Sequence, residues 1–281
     1  MALDSIDWGD LLPAVARPAI HAYKYRRPIQ KFWKHAQVAI GLGSPTIIVS
    51  GRAGVGKSIL ASHWHGEANS LDWVVPDTSS DVEIKPISIG DWTKIVSVIP
   101  GQESNERLIA LNAAFAQGSR LEGVIHVVDW GYTTIRDSAV KKEMVARGID
   151  SIRALRKHNM ALELDEFKYL AEQIKTANAR GVGPKWLVVA VNKIDLYESK
   201  HEDAKQYYHP SCSGDFSHLI GGLCDWVGTS NLKVACLPVC AMPEPFTWNE
   251  KTKKSEIDSV TRQRSYMRKF IDDVALLQNG T

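Results

Sequence analysis

Residues 46–58 read TIIVSGRAGVGKS. Thr46, Ile47, Ile48, Val49 and Ser50 form a β-branched run bounded by Pro45 and Gly51, the pattern of a short buried strand. Residues 51–58 are a complete G-x-x-x-x-G-K-S, and Ile59-Leu60-Ala61 opens a helical pattern. A strand before this motif and a helix after it form the context of a phosphate-binding loop. Gly51, Gly54 and Gly56 let the backbone wrap close to phosphate oxygens, where a Cβ would collide. The N–H groups of Ala53, Val55 and the turn into Ile59 then face an anion at a helix N-terminus. Lys57 is placed to reach terminal phosphates, and Ser58 to offer its hydroxyl to Mg²⁺.

Outward from this motif, strands and helices alternate. VEIKPISI (82–89) and TKIVSVI (93–99) flank Gly90-Asp91 and read as a hairpin, with Pro86 marking the first as an edge strand. GVIHVVDW (123–130), WLVVAVN (186–192) and LKVACLPV (232–239) are further apolar strands. Helical spacing recurs around residues 108–116, through Phe167, Leu170, Ala171 and Ile174, and through Val260, Met267, Ile271 and Val274. Such alternation predicts an α/β fold with a largely parallel sheet. Residues 130–191 make a connection of 62 residues, about twice a whole βαβ unit. It predicts extra helix over 134–158, ahead of the usual one at 162–179. A second polar connection, 198–217, reads as a surface loop.

Composition supports an ordinary folded protein. The chain has 281 residues, 44% of them hydrophobic and 23% charged, with a net charge of +2. These values exclude a disordered or charge-dominated chain. The four cysteines (Cys212, Cys224, Cys236, Cys240) lack zinc-site spacing and read as free thiols of a reducing compartment. Asp4, Asp7 and Asp10 interrupt any signal-peptide pattern, and the longest uncharged stretch, 35–51, is broken by Gly41, Gly43, Ser44 and Pro45. A cytoplasmic protein is expected.

After the strand WLVVAV comes Asn192-Lys193-Ile194-Asp195. A carboxylate there accepts hydrogen bonds from the N1–H and 2-amino group of guanine. Adenine has no matching donors, and a site built for such donors rejects a ligand lacking them. Lys193 can lay its stem on the base, and Asn192 can tie neighbouring loops together.

With this loop behind a phosphate-binding motif, the chain resembles the Ras/Arf-like small GTPases of the translation-factor-related class, from about residue 46 to 277. Pro100-Gly101-Gln102-Glu103-Ser104, followed by a helix and GVIHVVDW, places it nearest to Arf and the signal-recognition-particle receptor β subunit. The resemblance implies a three-layer P-loop G domain, a mostly parallel six-stranded sheet with one antiparallel edge strand. It also implies GTP or GDP with Mg²⁺ at the strand C-termini. A last base-site segment falls on Cys240-Ala241-Met242, where the family usually has Ser-Ala-Lys. The Ala241 N–H is then available to the guanine carbonyl, and Met242 lacks the stem-stacking contact. In the first switch the family presents a Thr to Mg²⁺ and the γ-phosphate. Thr78 is the choice here, with Ser79 and Ser80 as competitors. In the second switch, Gly101 offers its N–H to the γ-phosphate, and Gln102 orients the attacking water.

Two positions depart from the family pattern. Val98 stands where an Asp normally holds Mg²⁺ through water, with Asp129 as a neighbouring alternative. Ala53 replaces a glycine near the γ-phosphate. Both departures predict slow turnover and the use of an activating or effector protein. The functional expectation is a GTPase switch with Lys57, Gly101 and Gln102 in catalysis and Ser58 and Thr78 on the metal. The alternative is a degenerate G domain that holds nucleotide as a scaffold.

Residues 1–40 stand apart as a basic leader, ahead of a G domain at 41–281 with its enlarged helical crossover at about 131–181. No Asp or Glu occurs between Asp10 and Glu67, against eight Lys or Arg. Tyr23, Tyr25, Phe32 and Trp33 interleave with the leader's cations. Docking on the domain or a partner is favoured, ahead of a peripheral place on an anionic membrane surface. Nucleic acid is the weakest of the three.

Overall fold

The run before the glycine-rich turn forms a strand, β1 (Ile47–Ser50), buried at all four positions. The chain then turns through residues 51–56 into helix α1 (Lys57–His65). The structure, a computed structural model, describes residues 46–66, 68, 82–89, 92–101, 105–116 and 121–279. Residues 1–40, Thr78 and Gln102 lie outside the described residues.

The hairpin pattern becomes β2 (Glu83–Ile89) and β3 (Trp92–Val98), paired antiparallel along their whole length. Pro86 in β2 lies at the sheet edge, where a missing donor is tolerated. Next come α2 (Asn105–Ala114), β4 (Gly123–Val128), α3 (Ser138–Ala146) and α4 (Ile152–Ala179). The second half holds β5 (Trp186–Val191), α5 (His201–Tyr208), α6 (Asp215–Val227) and β6 (Lys233–Pro238). A small hairpin of β7 (Phe246–Trp248) and β8 (Lys251–Lys253) precedes the last helix, α7 (Val260–Asn279).

The main sheet has the order β2-β3-β1-β4-β5-β6, with every neighbour parallel except β2 and β3. This is the six-stranded sheet with one antiparallel edge strand that the family resemblance implies. Side chains alternate across it. Val124, Val128, Leu187, Val189 and Val191 face a core with Leu111 of α2, Phe167 and Ile174 of α4, and Phe216 and Ile220 of α6. Ile125, Val127, Val188 and Ala190 face the opposite core with Leu60 and Trp64 of α1 and Phe270 and Val274 of α7. Period-two alternation thus supplies two apolar faces, and helices cover both. The chain passes from β1 to β2 and β3 on one side and returns past β1 to β4 on the other. The turn after β1 therefore opens at a topological switch point, where doubly wound sheets form their crevice.

Two connections differ from the sequence reading. Between β4 and β5 the helix break falls at residues 147–151, and α4 runs unbroken for 28 residues. Asp137 and Ser151 cap the starts of α3 and α4 by accepting backbone N–H bonds. A cap decides that boundary, and periodicity alone does not register it. Residues 198–217 are no simple surface loop: they contain α5, whose Ala204 and Tyr208 are fully buried. Its polar residues cover one face and its few apolar ones anchor the other.

Candidate nucleotide site

The turn after β1 carries the geometry its glycines allow. Gly54 and Gly56 sit at φ +83° and +94°, in the left-handed region that side chains disfavour. A Cβ on Gly54 would lie 2.2 Å from the Thr134 carbonyl oxygen, and one on Gly56 would lie 2.5 Å from the Asn192 amide nitrogen. Space and backbone conformation both require glycine at these positions.

The Lys57 ammonium donates to the carbonyls of Gly51 and Arg52, each at 2.9 Å, bridging its own loop. Burial pulls it down from the ordinary lysine range to about 7. Arg52 donates to Asn159 of α4 at 3.3 Å rather than standing in solvent. Asn159 in turn donates to the Gly131 carbonyl. The long crossover helix therefore braces the phosphate loop.

Gly101 lies directly over that loop, but in an orientation the sequence does not predict. Its carbonyl accepts the Ala53 N–H at 3.0 Å, and a Cβ on it would lie 2.4 Å from the Lys57 nitrogen. The segment after β3 thus takes up one of the loop's anion donors with its own oxygen. Ser58 donates its hydroxyl to the Glu83 carboxylate at 2.7 Å. A hydroxyl beside a carboxylate is an oxygen donor set suited to Mg²⁺. Val98, 2% exposed, brings no polar atom to the end of β3.

The Asn192–Asp195 loop follows β5 and packs against the phosphate loop through side chains. Asn192 donates to the Val55 carbonyl at 2.8 Å and accepts the Ala241 N–H at 3.1 Å. The tie between loops predicted for Asn192 is present, and it occupies the Ala241 N–H foreseen for the base carbonyl. One side-chain amide thus satisfies both loops at once. Lys193 has φ +58°, which costs on the order of 1 kcal/mol for a residue with a side chain. Its ammonium donates to Gly54 O at 2.9 Å, Tyr132 O at 2.6 Å and Thr134 Oγ1 at 3.1 Å. It also pairs with Asp129 at 3.0 Å. Surroundings of this kind over-determine a strained conformation.

Asp129 is fully buried and also accepts the Thr133 hydroxyl at 2.8 Å. Its carbonyl also accepts the Tyr132 N–H, so it holds the turn that follows β4. Beside it, Glu163 of α4 accepts the N–H groups of Asp129 and Gly131 and the Tyr208 hydroxyl. Burial, with the neighbouring Asp129 charge, pushes Glu163 well above the ordinary carboxylate range.

Asp195 accepts the Glu244 N–H at 3.2 Å and the Cys240 thiol at 3.7 Å. Burial pushes its carboxyl up to about 6 against these hydrogen bonds. Two ionised oxygens offer about four acceptor sites, so the carboxylate retains capacity for a ligand. Burial also pushes the Cys240 thiol far up, which keeps it neutral.

The two loops border one cleft. Ala53, Gly54, Gly56, Lys57, Ser58 and Ile59 line one end with Val98 and Gly101, and Asn192, Lys193, Ala241 and Met242 line the other. An adjoining pocket carries the cleft on to Asp195 and the β7 hairpin. Gly51 and Val55 shape the loop from beneath, both buried. Sequence reasoning missed Thr134, Arg136 and Glu244, which also line the cleft. They stand in irregular segments without periodicity, so no pattern marks them.

Strand order, the single antiparallel edge strand and the two loops at the strand C-termini define a small-GTPase-like G domain in fold. No family model and no curated protein matches the chain. Among solved structures, the signal recognition particle receptor SRb–GDP from Chaetomium thermophilum is 12% identical. It covers 82% of this chain and 98% of its own, with a TM-score of 0.42. An ADP-ribosylation-factor-like small COPII coat GTPase from Encephalitozoon cuniculi, in complex with GDP, is 18% identical. There the coverage is 93% of this chain and 91% of that one, with a TM-score of 0.37. A bacterial selenocysteine-specific elongation factor is 13% identical over 85% of this chain, with a TM-score of 0.38; the match spans 29% of that protein. At these values the fold rests on strand order and loop position, not on the likeness.

Proposed function

We propose that the chain binds a guanine nucleotide with Mg²⁺ in this cleft and hydrolyses GTP slowly as a molecular switch. The observation that carries the reading is the direct bonding of the Asn192–Asp195 loop to the phosphate loop, through Asn192 to Val55 and Lys193 to Gly54. Base-reading and phosphate-binding segments form one cleft, with Asp195 beyond Lys193. Phosphates lie on the α1 N-terminus, where Lys57 exchanges its carbonyl partners for phosphate oxygens. The Lys193 stem covers one face of the base, and Asp195 reads its N1–H and 2-amino group. Ser58 holds the cation, which would neutralise charge on the β- and γ-phosphates. Thr78 is the proposed second ligand, and Gln102 the residue that orients water. Gly101 must release Ala53 before a γ-phosphate takes that N–H. An effector or activating protein meets this segment and senses its position.

Nucleotide competition against a fluorescent GDP analogue tests the base assignment. GTP and GDP should compete and ATP should not; equal competition by ATP removes it. A second reading, a non-hydrolysing nucleotide-bound scaffold, is favoured by the Gly101–Ala53 bond and by Val98. Single-turnover hydrolysis with saturating Mg²⁺ separates the two: a wild type that retains intact GTP is a scaffold.

A further inference from the structure

Val98 leaves the phosphate site without a carboxylate at the end of β3. Asp129, just after the next strand β4, is committed to Lys193 and Thr133. The structure brings a carboxylate in from the neighbouring strand. Glu83 begins β2 and stands directly opposite Val98 in the antiparallel register. It thereby projects from the edge strand toward the place that the side chain at position 98 leaves apolar. Its Oε1 accepts the Ser58 hydroxyl at 2.7 Å.

That separation has a chemical meaning. Mg²⁺ takes octahedral oxygen ligands at about 2.05 Å, so two neighbouring ligand oxygens lie about 2.9 Å apart. The Ser58 and Glu83 oxygens are already at nearly this spacing. Mg²⁺ sites at nucleotides use one or two carboxylates together with substrate phosphates and water. Ser58 supplies a hydroxyl and Glu83 the carboxylate that Val98 does not, alongside the proposed Thr78 ligand.

We propose that Glu83, with Ser58, ligates the divalent cation of the bound nucleotide and replaces the carboxylate absent at position 98. This rests on the guanine-nucleotide reading of the cleft. In the cation-bound form the Ser58 hydroxyl gives up its bond to Glu83, and both oxygens turn lone pairs to the ion.

The test uses the full chain, a fluorescent GDP analogue and Mg²⁺. Release of the analogue is followed over a series of free Mg²⁺ concentrations set by chelator. In the wild type, Mg²⁺ slows release. Glu83→Gln keeps an acceptor for Ser58 but removes the charge. The Mg²⁺ concentration for half-maximal slowing should therefore rise on the order of tenfold or more. Adding Val98→Asp to Glu83→Gln should bring it back toward the wild-type value. An unchanged Mg²⁺ dependence in Glu83→Gln overturns the proposal, since a merely structural bond to Ser58 survives that substitution. If Glu83→Gln loses its circular-dichroism signature of folding, Val98→Asp alone decides. A second carboxylate beside the ion lowers the Mg²⁺ required, and no change overturns the proposal. Analogue binding with release equally fast in Mg²⁺ and chelator overturns it while leaving the cleft reading standing. No analogue binding at all removes the cleft reading, and this proposal with it.

Discussion

The two ends of the cleft are built by different means. At the base end, Asn192, Lys193 and Asp195 are at most 8% exposed, and buried hydrogen bonds fix each of them. The phosphate end is built mainly from backbone, and its donors serve the chain's own oxygens. Ala53 N–H goes to Gly101, Lys57 to Gly51 and Arg52, and Ser58 to Glu83. A ligand meets a ready base site but must exchange partners at the phosphate site. In the proposed reading, base selection depends on preorganised side chains, whereas phosphate response depends on which internal bonds open. Under the proposed function, this division would let the base anchor the ligand and the phosphates change the protein.

Four measurements bear on that division. The largest effect should come from Asp195→Asn, which replaces an acceptor with a donor facing the base. The preference for GTP over XTP should change by about 10⁴-fold, read by competition against a labelled nucleotide. An unchanged preference would show that the base end does not read guanine. Next, Gln102→Ala should slow single-turnover GTP hydrolysis on the order of 100-fold through loss of water positioning, with little change in GDP affinity. A parallel loss of affinity would mean that the two ends are not separable.

Asn192→Ala removes the amide shared by Val55 and Ala241. It should cost about 1–3 kcal/mol, appearing both in thermal unfolding and in nucleotide affinity. A loss confined to affinity would make Asn192 a ligand group rather than a tie. The smallest effect concerns pH. Asp195, raised to about 6, must be ionised to accept from guanine. Affinity should therefore hold above pH 6 and weaken as pH falls through it, by up to about tenfold per unit. Asp195→Asn should abolish that dependence; if it persists, another group at the base end titrates.

The sequence made much of this protein legible. TIIVSGRAGVGKS carries its structure locally, because a buried strand, glycines able to reach positive φ and a helix N-terminus are consecutive. Asn192–Asp195 was legible for the same reason: it sits at the end of an apolar strand. The largely parallel character of the sheet followed from alternation with helices, whereas the strand order came only from the structure. Less visible was the α4 start, which depends on the Ser151 cap, and α5, whose few apolar residues hide among charges.

Residue order alone could not show which carboxylate meets which cation. Asp129 and Lys193 are 64 positions apart, yet they form a buried ion pair. Glu83 faces Ser58 only because β2 folds back antiparallel on β3 and sets its first residue opposite Val98. Gly101 and Ala53 likewise meet by packing β3 beside β1. Motifs follow from local backbone preference and are written along the chain. Partners of buried charges follow from strand register and desolvation, which arise only when distant segments are brought together.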